Sequence, residues 1–380
     1  MLGYRMPTRV LIEVGCLARL PEGLEALGCR SALLVIDPGM RGTEWPDRAR
    51  KDLAGIRTET FADVEPNPRT STAEKAAGMA REAGLAAVIG LGGGSVLDCA
   101  KAASMLATNP GTAKEFEGRN RFRNRPLPFV AIPSTCGTGS EVTWVSVLSH
   151  QESRSKISVK GEAMFPTQAL VDADLLRSLP AHLVASTGLD ALTHALEATT
   201  CTERNPVSDA FSEKAIALLF AYLPRAVADI GGDDEAREAV MRASTLAGLS
   251  FGNADVAAVH CLSETIGGMH DLPHGLLNAV LLGKVMRSHL PAIEGRLAEL
   301  QRLVGPASAM ESPAELALMF LDGLDRIART IEIPSFASLG VPRKDFPEIA
   351  QRSTQNGSHG SNPRPMTQAD YLTILEELVA

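Results

Sequence analysis

The sequence has few of the features that mark secreted, membrane or nucleic-acid-binding proteins. Its six cysteines include no C-x-x-C pair, and their spacing suggests no disulfide framework, which indicates reduced thiols. No apolar run approaches the about 20 residues needed to cross a bilayer. The first residues, MLGYRMPTRVLIEVG, lack the hydrophobic core of a signal peptide. We therefore expect a cytoplasmic protein with no membrane partner.

Clustered positive charge is also scarce. The formal net charge is -8, and the densest basic stretch is RNRFRNR at 119–125, which is typical of a solvated loop. A nucleic-acid partner is therefore not expected. The 380 residues are 45% hydrophobic and 22% charged, which suits a globular protein of two domains.

The first half of the chain alternates short apolar runs with helical patterns. Ser71 and Glu74 have the spacing of a capping box, which would open a helix that Gly84 ends. Continuous apolar runs are typical of strands buried on both faces of a parallel sheet. Four such runs are SALLVID at 31–37, AAVIGLGGGS at 86–95, PFVAIPST at 128–135 and ALVDAD at 169–174. Alternation of strand and helix predicts an α/β domain.

The second half changes character after SLP at 178–180. Its apolar residues recur at helical spacing, and no convincing strand is found. Three segments show the pattern: SDAFSEKAIALLFAYL, DEAREAVMRASTLAGLSF and SPAELALMFLDGLDRIARTI. We therefore predict an α/β domain over 1–180 and an all-α domain over 181–380.

A glycine-rich turn follows the second apolar run, in GLGGGSVLDCAKAA. Glycines let a ligand approach the backbone closely, and the first N–H groups of a following helix favour an anion such as a pyrophosphate. The alternative is a tight turn without a ligand, because the usual G-x-G-x-x-G spacing is absent. The loop PSTCGTGSE at 133–141 follows the third run and favours ligand binding, since open α/β sheets bind ligands at that edge.

Asp37 ends the first apolar run. A carboxylate at this position can hydrogen-bond to the ribose hydroxyls of a dinucleotide and would repel a 2′-phosphate. The alternative is a simple Asp-Pro-Gly turn.

Three of the eight histidines fall within HCLSETIGGMHDLPHG at 260–275. Upstream, Asp190 and His194 are four residues apart and would share one helix face, so that they could hold one cation. His260 and His274 would complete a set of one oxygen and three nitrogens, which suits Fe²⁺ or Zn²⁺. Each of the four could instead be structural. The PHG sequence predicts that His274 lies at a turn or a helix start.

Taken together, these motifs resemble the iron-dependent (group III) alcohol dehydrogenase family, which includes lactaldehyde reductase and 1,3-propanediol dehydrogenase. The resemblance covers nearly the whole chain. It rests on PNP (66–68), GGGSVLDCAK (92–101), AIPSTCGTGSEVT (131–143), VDADLLRSLP (171–180), TGLDALTHALEA (187–198), VHCLSETIGGMHDLPHG (259–275) and GSNPRPMT (360–367). It implies a dehydroquinate synthase-like fold, with an N-terminal nucleotide-binding α/β domain and an all-α C-terminal metal-binding domain.

The resemblance also implies roles for individual residues. Metal ligation falls to Asp190, His194, His260 and His274, and Asp37 would favour NAD over NADP. The other positions that match cofactor-binding residues of the family are Gly93, Gly94, Ser95, Asp98, Thr135, Thr138 and Lys156.

The chain departs from the family at Glu264, where many members carry a histidine implicated in proton relay. His270 lies in the same segment and is our candidate catalytic residue, because an imidazole titrates near neutral pH. A relay through water and the cofactor ribose is the alternative.

The function implied is a metal-dependent oxidoreductase that transfers hydride between NAD(H) and a primary alcohol/aldehyde pair. The metal, Fe²⁺ or Zn²⁺, would act as a Lewis acid, and the cofactor would carry the redox chemistry. The alternatives are a polyol (glycerol-type) dehydrogenase, another enzyme of the same fold, or a catalytically silent NAD- or metal-binding protein. The expected partners are a small alcohol or aldehyde and further copies of the chain, as a homodimer or a higher homo-oligomer.

Overall fold

The structure is a computed structural model that describes residues 3–307 and 310–379. The chain divides into two compact units. One is formed by Arg5–Leu179, and the other comprises the chain from Pro180 onward together with Tyr4. The ring of Tyr4 stacks on Phe211 of the second unit, with ring centroids 5.7 Å apart.

The first unit is built on a parallel sheet. Its described residues form nine strands: β1 Arg9–Ile12, β2 Ser31–Ile36, β3 Arg57–Phe61, β4 Ala87–Gly92, β5 Gly118–Arg119, β6 Phe129–Pro133, β7 Val145–His150, β8 Ser155–Lys160 and β9 Gln168–Val171. Six strands form one sheet in the order β1-β9-β6-β4-β2-β3, all parallel. The helices are α1 Leu20–Ala26, α2 Trp45–Asp52, α3 Thr70–Glu82 and α4 Gly94–Thr108. The predicted α/β architecture is confirmed.

Strand β2 shows why the apolar runs are continuous. All six of its residues are buried. Leu33 and Val35 pack in a hydrophobic cluster with α3 and α4, whereas Leu34 and Ile36 pack in a second cluster with α1 and α2. Successive side chains of a strand point to opposite faces, so the run from Ala32 to Ile36, covered by helices on both faces, is apolar throughout.

The loops after β2, β4 and β6 come together at one edge of the sheet. Strand β4 pairs with both β2 and β6, and parallel strands end at the same edge. Asp37 follows β2, the glycine turn follows β4, and the loop that begins at Ser134 follows β6. Ligands of open α/β sheets bind outside this carboxyl edge.

The capping box predicted at Ser71 and Glu74 is wrong. Helix α3 begins before Ser71, and no side chain among the described residues caps it with a hydrogen bond. Glu74 instead accepts a hydrogen bond from the backbone N–H of Ala113, at 2.8 Å. The side chain of Glu65, from the preceding loop, accepts from the backbone N–H of Arg69 at 3.1 Å. The Glu74 carboxylate, which the local pattern assigned to the first turn of α3, therefore binds a residue that is distant in sequence.

The second unit contains only helices and turns within its described residues, which confirms the predicted all-α character. Its helices are α5 Ala181–Thr200, α6 Pro206–Ala228, α7 Asp234–Phe251, α8 Ala258–His270, α9 His274–Val304, α10 Pro313–Thr330, α11 Phe346–Ser353 and α12 Gln368–Glu377. Helix α5 packs against α6, α7 and α9, and α8 packs against α9 and α11. Within the described ranges, no helix combines the length and the apolar character that a membrane span requires.

A short reversal joins α8 to α9. Asp271 has a left-handed backbone with φ of 55°, which ends α8 directly after His270. Pro273 then precedes the first turn of α9, so His274 starts a helix as the PHG sequence predicts.

Gly275 allows α9 to lie close to α5. A Cβ atom at this position would be 3.2 Å from the backbone oxygen of Ser186 and 3.5 Å from the Cβ of Asp190. The first of these separations is tighter than an ordinary van der Waals contact, so a larger residue would push the two helices apart. The glycine thus sets how closely His274 can approach the ligand-bearing face of α5.

Candidate functional site

Four side chains of the helical unit gather at one point. Asp190 and His194 lie on adjacent turns of α5, His260 lies on α8, and His274 starts α9. One ligand atom from each lies within 4.8 Å of the others. Asp190, His194 and His260 are buried, whereas the His274 side chain is 26% exposed. Solvent therefore reaches the cluster beside His274.

The three imidazoles pack in a row. The ring centroids of His194 and His260 are 4.7 Å apart, and those of His260 and His274 are 5.2 Å apart. The far side of His194 stacks on Phe251 of α7, at 4.2 Å and an interplanar angle of 14°. This packing limits the rotation of the His194 ring.

A fully buried carboxylate orients the middle imidazole. The Oε2 atom of Glu197 lies 2.5 Å from Nδ1 of His260, and its Oε1 accepts from the backbone N–H of Val259 at 2.7 Å. Burial acts to lower the pKa of His260, but the negative charges of Glu197 and Asp190 outweigh it, so this pKa is raised. A carboxylate at Nδ1 holds the proton there and leaves the Nε2 lone pair facing the cluster.

Sequence reasoning missed two residues of this cluster, Glu197 and Asn278. Glu197 lies seven residues after Asp190 on α5, and Asn278 lies four residues after His274 on α9. Asn278 is fully buried and donates from Nδ2 to Oδ1 of Asp190, at 2.6 Å. Spacings of four and seven residues place side chains on one helix face, so a search at those spacings from each candidate ligand finds both.

His270 is not one of the four gathered side chains. It ends α8 ten residues after His260, which corresponds to about 15 Å along the helix axis. Its Nε2 lies 3.5 Å from Oδ2 of Asp345, and the His270 side chain is 17% exposed.

Glu264 lies nearer to the cluster along α8. It follows His260 by one helical turn and so shares its face. Its Oε2 accepts a hydrogen bond from Nδ2 of Asn356, at 2.7 Å.

In the α/β unit, the Asp37 carboxylate accepts hydrogen bonds from two backbone N–H groups. Its Oδ1 accepts from the backbone N–H of Gly39 at 2.8 Å, which forms the Asp-Pro-Gly turn. Its Oδ2 faces the glycine turn and accepts from the backbone N–H of Gly93 at 3.4 Å. The carboxylate is thus held beside the glycine turn.

Two threonines of the loop after β6 lie against the same turn. A Cβ atom on Gly93 would be 3.0 Å from Cγ2 of Thr135, and one on Gly94 would be 2.4 Å from Cγ2 of Thr138. Only glycine at 94 lets this loop pack against the start of α4. Ser95 lies in the first turn of α4, and no side chain of the described ranges caps that helix. The positive end of its dipole is therefore suited to an anion.

Asp98 and Lys156 form hydrogen bonds with other residues of the α/β unit. Oδ1 of Asp98 accepts from the hydroxyl of Ser140 at 2.7 Å, and its Oδ2 accepts from the backbone N–H of Val147 at 2.9 Å. Burial raises the pKa of Asp98, although a neighbouring lysine and these hydrogen bonds oppose the shift. Lys156, on β8, donates to Oδ1 of Asn67 at 3.0 Å. Asp98 therefore holds the loop that carries Thr138.

Comparison with known families covers both units. The family model described as iron-containing alcohol dehydrogenase matches residues 7–173. The model described as Fe-containing alcohol dehydrogenase family, C-terminal, matches residues 184–379.

Individual relatives are similar over their whole length. The NAD-dependent methanol dehydrogenase of Bacillus methanolicus is 33% identical over 379 residues, covering 99% of each chain. The 1,3-propanediol dehydrogenase of Klebsiella pneumoniae is 34% identical over 382 residues, covering 99% of this chain and 98% of that protein. The crystal structure of a 1,3-propanediol oxidoreductase matches with a TM-score of 0.96 at 34% identity, covering 100% of both chains.

The resemblance inferred from the motifs is confirmed by these matches. The chain belongs to the iron-containing alcohol dehydrogenase family, and it is an oxidoreductase that transfers hydride between NAD(H) and an alcohol/aldehyde pair.

Proposed function

We propose that Asp190, His194, His260 and His274 hold one Fe²⁺ ion, with Zn²⁺ as the other cation that accepts this ligand set. The observation that carries the proposal is the gathering of four ligand atoms within 4.8 Å of one another. Three imidazole nitrogens and one carboxylate oxygen suit both cations. When bound, the cation supplies a Lewis acid that polarises the substrate oxygen.

The positions of three ligand atoms support the binding of a cation by this cluster. Oδ1 of Asp190 and the Nε2 atoms of His260 and His274 all lie within 3.2 Å of one amide nitrogen, Nδ2 of Asn278. Acceptor atoms that converge on a single point are suited to a single positive charge. Glu197 adds a buried negative charge behind His260, which favours a cation further.

We assign cofactor binding to residues 1–180 and metal binding with catalysis to residues 181–380. The open start of α4 would receive the pyrophosphate of NAD(H), because its N–H groups and dipole favour an anion. Asp37 would accept hydrogen bonds from the ribose hydroxyls. The residues assigned to the cofactor are Asp37, Gly93, Gly94, Ser95, Asp98, Thr135, Thr138 and Lys156, with Asp98 acting through the loop that it holds.

Charge removal at Asp37 should change the cofactor preference. The wild type should prefer NAD(H), because the Asp37 carboxylate repels a 2′-phosphate. In Asp37→Asn and Asp37→Gly we expect the ratio of kcat/KM for NADH to that for NADPH to fall by about 10-fold to 100-fold, as expected for one close like-charge contact near a protein surface. The asparagine variant can still accept from Gly39, so it separates charge from turn geometry.

The exposed Asp47→Asn is the matched control and should leave this ratio unchanged, since Asp47 pairs with Arg50 on the surface of α2. A wild-type enzyme with the higher kcat/KM for NADPH would show that the role of Asp37 is wrong.

We propose that His270 moves the proton of the reaction, and that Asp345, whose carboxylate lies beside Nε2 of the imidazole, orients the ring. The proposal is supported by the 3.5 Å separation of Nε2 from the Asp345 carboxylate and by the partial burial of the side chain. Glu264 is the second candidate, because it lies one turn from His260 on the same face of α8.

We propose a primary alcohol/aldehyde pair as the substrate, with a polyol as the alternative. The relatives named for methanol and 1,3-propanediol support a small primary alcohol. Protein purified without oxygen and loaded with Fe²⁺ should reduce short aldehydes with NADH. A chelator should abolish this activity, and added Fe²⁺ should restore it.

The same assay distinguishes the alternatives. Turnover confined to dihydroxyacetone would indicate a polyol dehydrogenase.

We further propose a cytoplasmic homodimer or higher homo-oligomer. The six cysteines are buried thiols outside any disulfide of the described residues, which fits a reducing compartment. Strand β1 is an edge of the parallel sheet, and Ile12 and Val14 are 44% and 45% exposed there, which suits contact with another copy. A monomer in light scattering at micromolar concentration would contradict the oligomer.

A further inference from the structure

Asn278 occupies the centre of the ligand cluster, although no metal-binding motif of the sequence includes it. It lies one turn after His274 on α9 and is fully buried. Its Nδ2 atom is 2.6 Å from Oδ1 of Asp190, 3.1 Å from Nε2 of His260 and 3.2 Å from Nε2 of His274. One amide nitrogen thus contacts three of the four proposed ligands.

The Asn278 amide has too few hydrogens for the atoms that face its nitrogen, and its oxygen has no described donor. An amide NH₂ group has two hydrogens, whereas one carboxylate oxygen and two imidazole nitrogens face it. The Oδ1 atom of Asn278 is buried and has no hydrogen-bond partner among residues 3–307 and 310–379. Such a buried, incompletely satisfied network costs free energy. A cation that took the three lone pairs would relieve this competition.

We propose that Asn278 is a positioning residue of the metal centre. In the metal-free protein its N–H donor holds the Asp190 carboxylate and keeps the lone pairs of His260 and His274 gathered. When a cation takes the imidazole lone pairs, the amide turns away from them and keeps its hydrogen bond to Asp190. The inference rests on the proposed ligation by Asp190, His194, His260 and His274.

The chemistry of the residue favours this role over simple packing. Leucine has the same branched side-chain skeleton and would occupy a buried position on α9 without an unsatisfied polar atom. The position instead carries an amide whose nitrogen faces the cluster and whose oxygen has no described partner. Partners that orient metal ligands by hydrogen bonds act in this way, and their loss lowers metal affinity.

Metal binding by two variants tests the proposal. The apoprotein is titrated with Co²⁺ against a chromophoric chelator, and the Tm is measured with and without the metal. Asn278→Leu removes the donor, so we expect its Kd for Co²⁺ to rise by about 10-fold to 100-fold. Its metal-induced rise in Tm should shrink accordingly.

Asn278→Asp has nearly the same shape but places a second carboxylate beside Asp190, at a contact that is 2.6 Å in the wild type. Repulsion should lower the Tm of the metal-free form, and the metal should remove it, so the metal-induced rise in Tm should exceed that of the wild type. The two variants thus move this quantity in opposite directions. A residue that only packs would change the Tm of both forms equally.

Two controls separate the possible failures. Asn205→Ala removes another buried asparagine, the cap of α6, and should lower the Tm of both forms without changing the Kd. His260→Ala should lose the metal if the proposed ligation is right.

Wild-type Kd in Asn278→Leu, with weak binding by His260→Ala, overturns the role of Asn278 alone. Wild-type binding by His260→Ala overturns the ligation and this inference together. If Asn278→Leu does not fold, the Asp variant decides, and a metal-induced rise in Tm equal to that of the wild type overturns the proposal.

Discussion

His274→Ala should lose both its bound iron and its turnover. The side chain supplies one of the four gathered ligand atoms, and alanine offers none. Polarisation of a substrate oxygen by a metal is worth several kcal/mol, so kcat/KM should fall by about 10³-fold or more. Metal content is measured on protein purified without oxygen, and turnover is measured with NADH and a short aldehyde.

Two further measurements make this result specific. His182→Ala removes an exposed histidine at the start of the same helix that carries Asp190, and should keep both metal content and activity. NADH affinity, followed by fluorescence, should be unchanged in His274→Ala, because the residues assigned to the cofactor all belong to Arg5–Leu179. Full activity with unchanged metal content in His274→Ala would refute its assignment as a ligand.

His270→Ala should lower kcat by about 10²-fold to 10⁴-fold, the range typical of a positioned acid–base group. The bound metal should remain, since His270 is not among the gathered ligands. The pH–rate profile should become flatter near neutrality, because the variant lacks the imidazole that we propose for the proton. Steady-state kinetics across pH values, with metal analysis of the same samples, measure these effects.

Asp345→Asn is the matched variant for His270, because it removes the carboxylate beside Nε2 and keeps the imidazole. If Asp345 orients the ring, kcat should fall less than in His270→Ala. If both variants instead lower Tm alike and keep kcat within a few-fold of wild type, the contact between His270 and Asp345 at the end of α8 is structural. The proton would then be assigned to Glu264, which shares a helix face with His260.

The main lines of the fold follow from local patterns, and the exceptions have identifiable causes. The four continuous apolar runs correspond to β2, β4, β6 and β9 of the parallel sheet. Strands β7 and β8 went unpredicted because VSVLSH and SKISVK mix polar and apolar residues in a partly exposed antiparallel pair, and therefore lack the continuous apolar run of the buried parallel strands. The capping box predicted at Ser71 and Glu74 is wrong because the Glu74 carboxylate accepts a hydrogen bond from the backbone N–H of Ala113, thirty-nine residues away.

The sequence predicted those candidate site residues whose positions depend on neighbours close along the chain. Asp190 and His194 share a face of α5 because helical periodicity places residues four apart together. His274 begins a helix because proline before it favours an extended backbone and is followed by a new first turn. The position of Asp37 at a strand end also follows from the local sequence, because the apolar run stops at the Asp-Pro-Gly turn.

Sequence alone thus determined the change from an α/β unit to a helical one, the glycine turn after β4 and the four candidate ligands. Tertiary structure decided which side chains support them. Glu197 meets His260 across 63 residues of sequence, and Asn278 meets Asp190 across 88. Periodicity determines neighbours within one helix. Contacts between helices depend on how closely they pack, and here Gly275 sets the approach of α9 to α5.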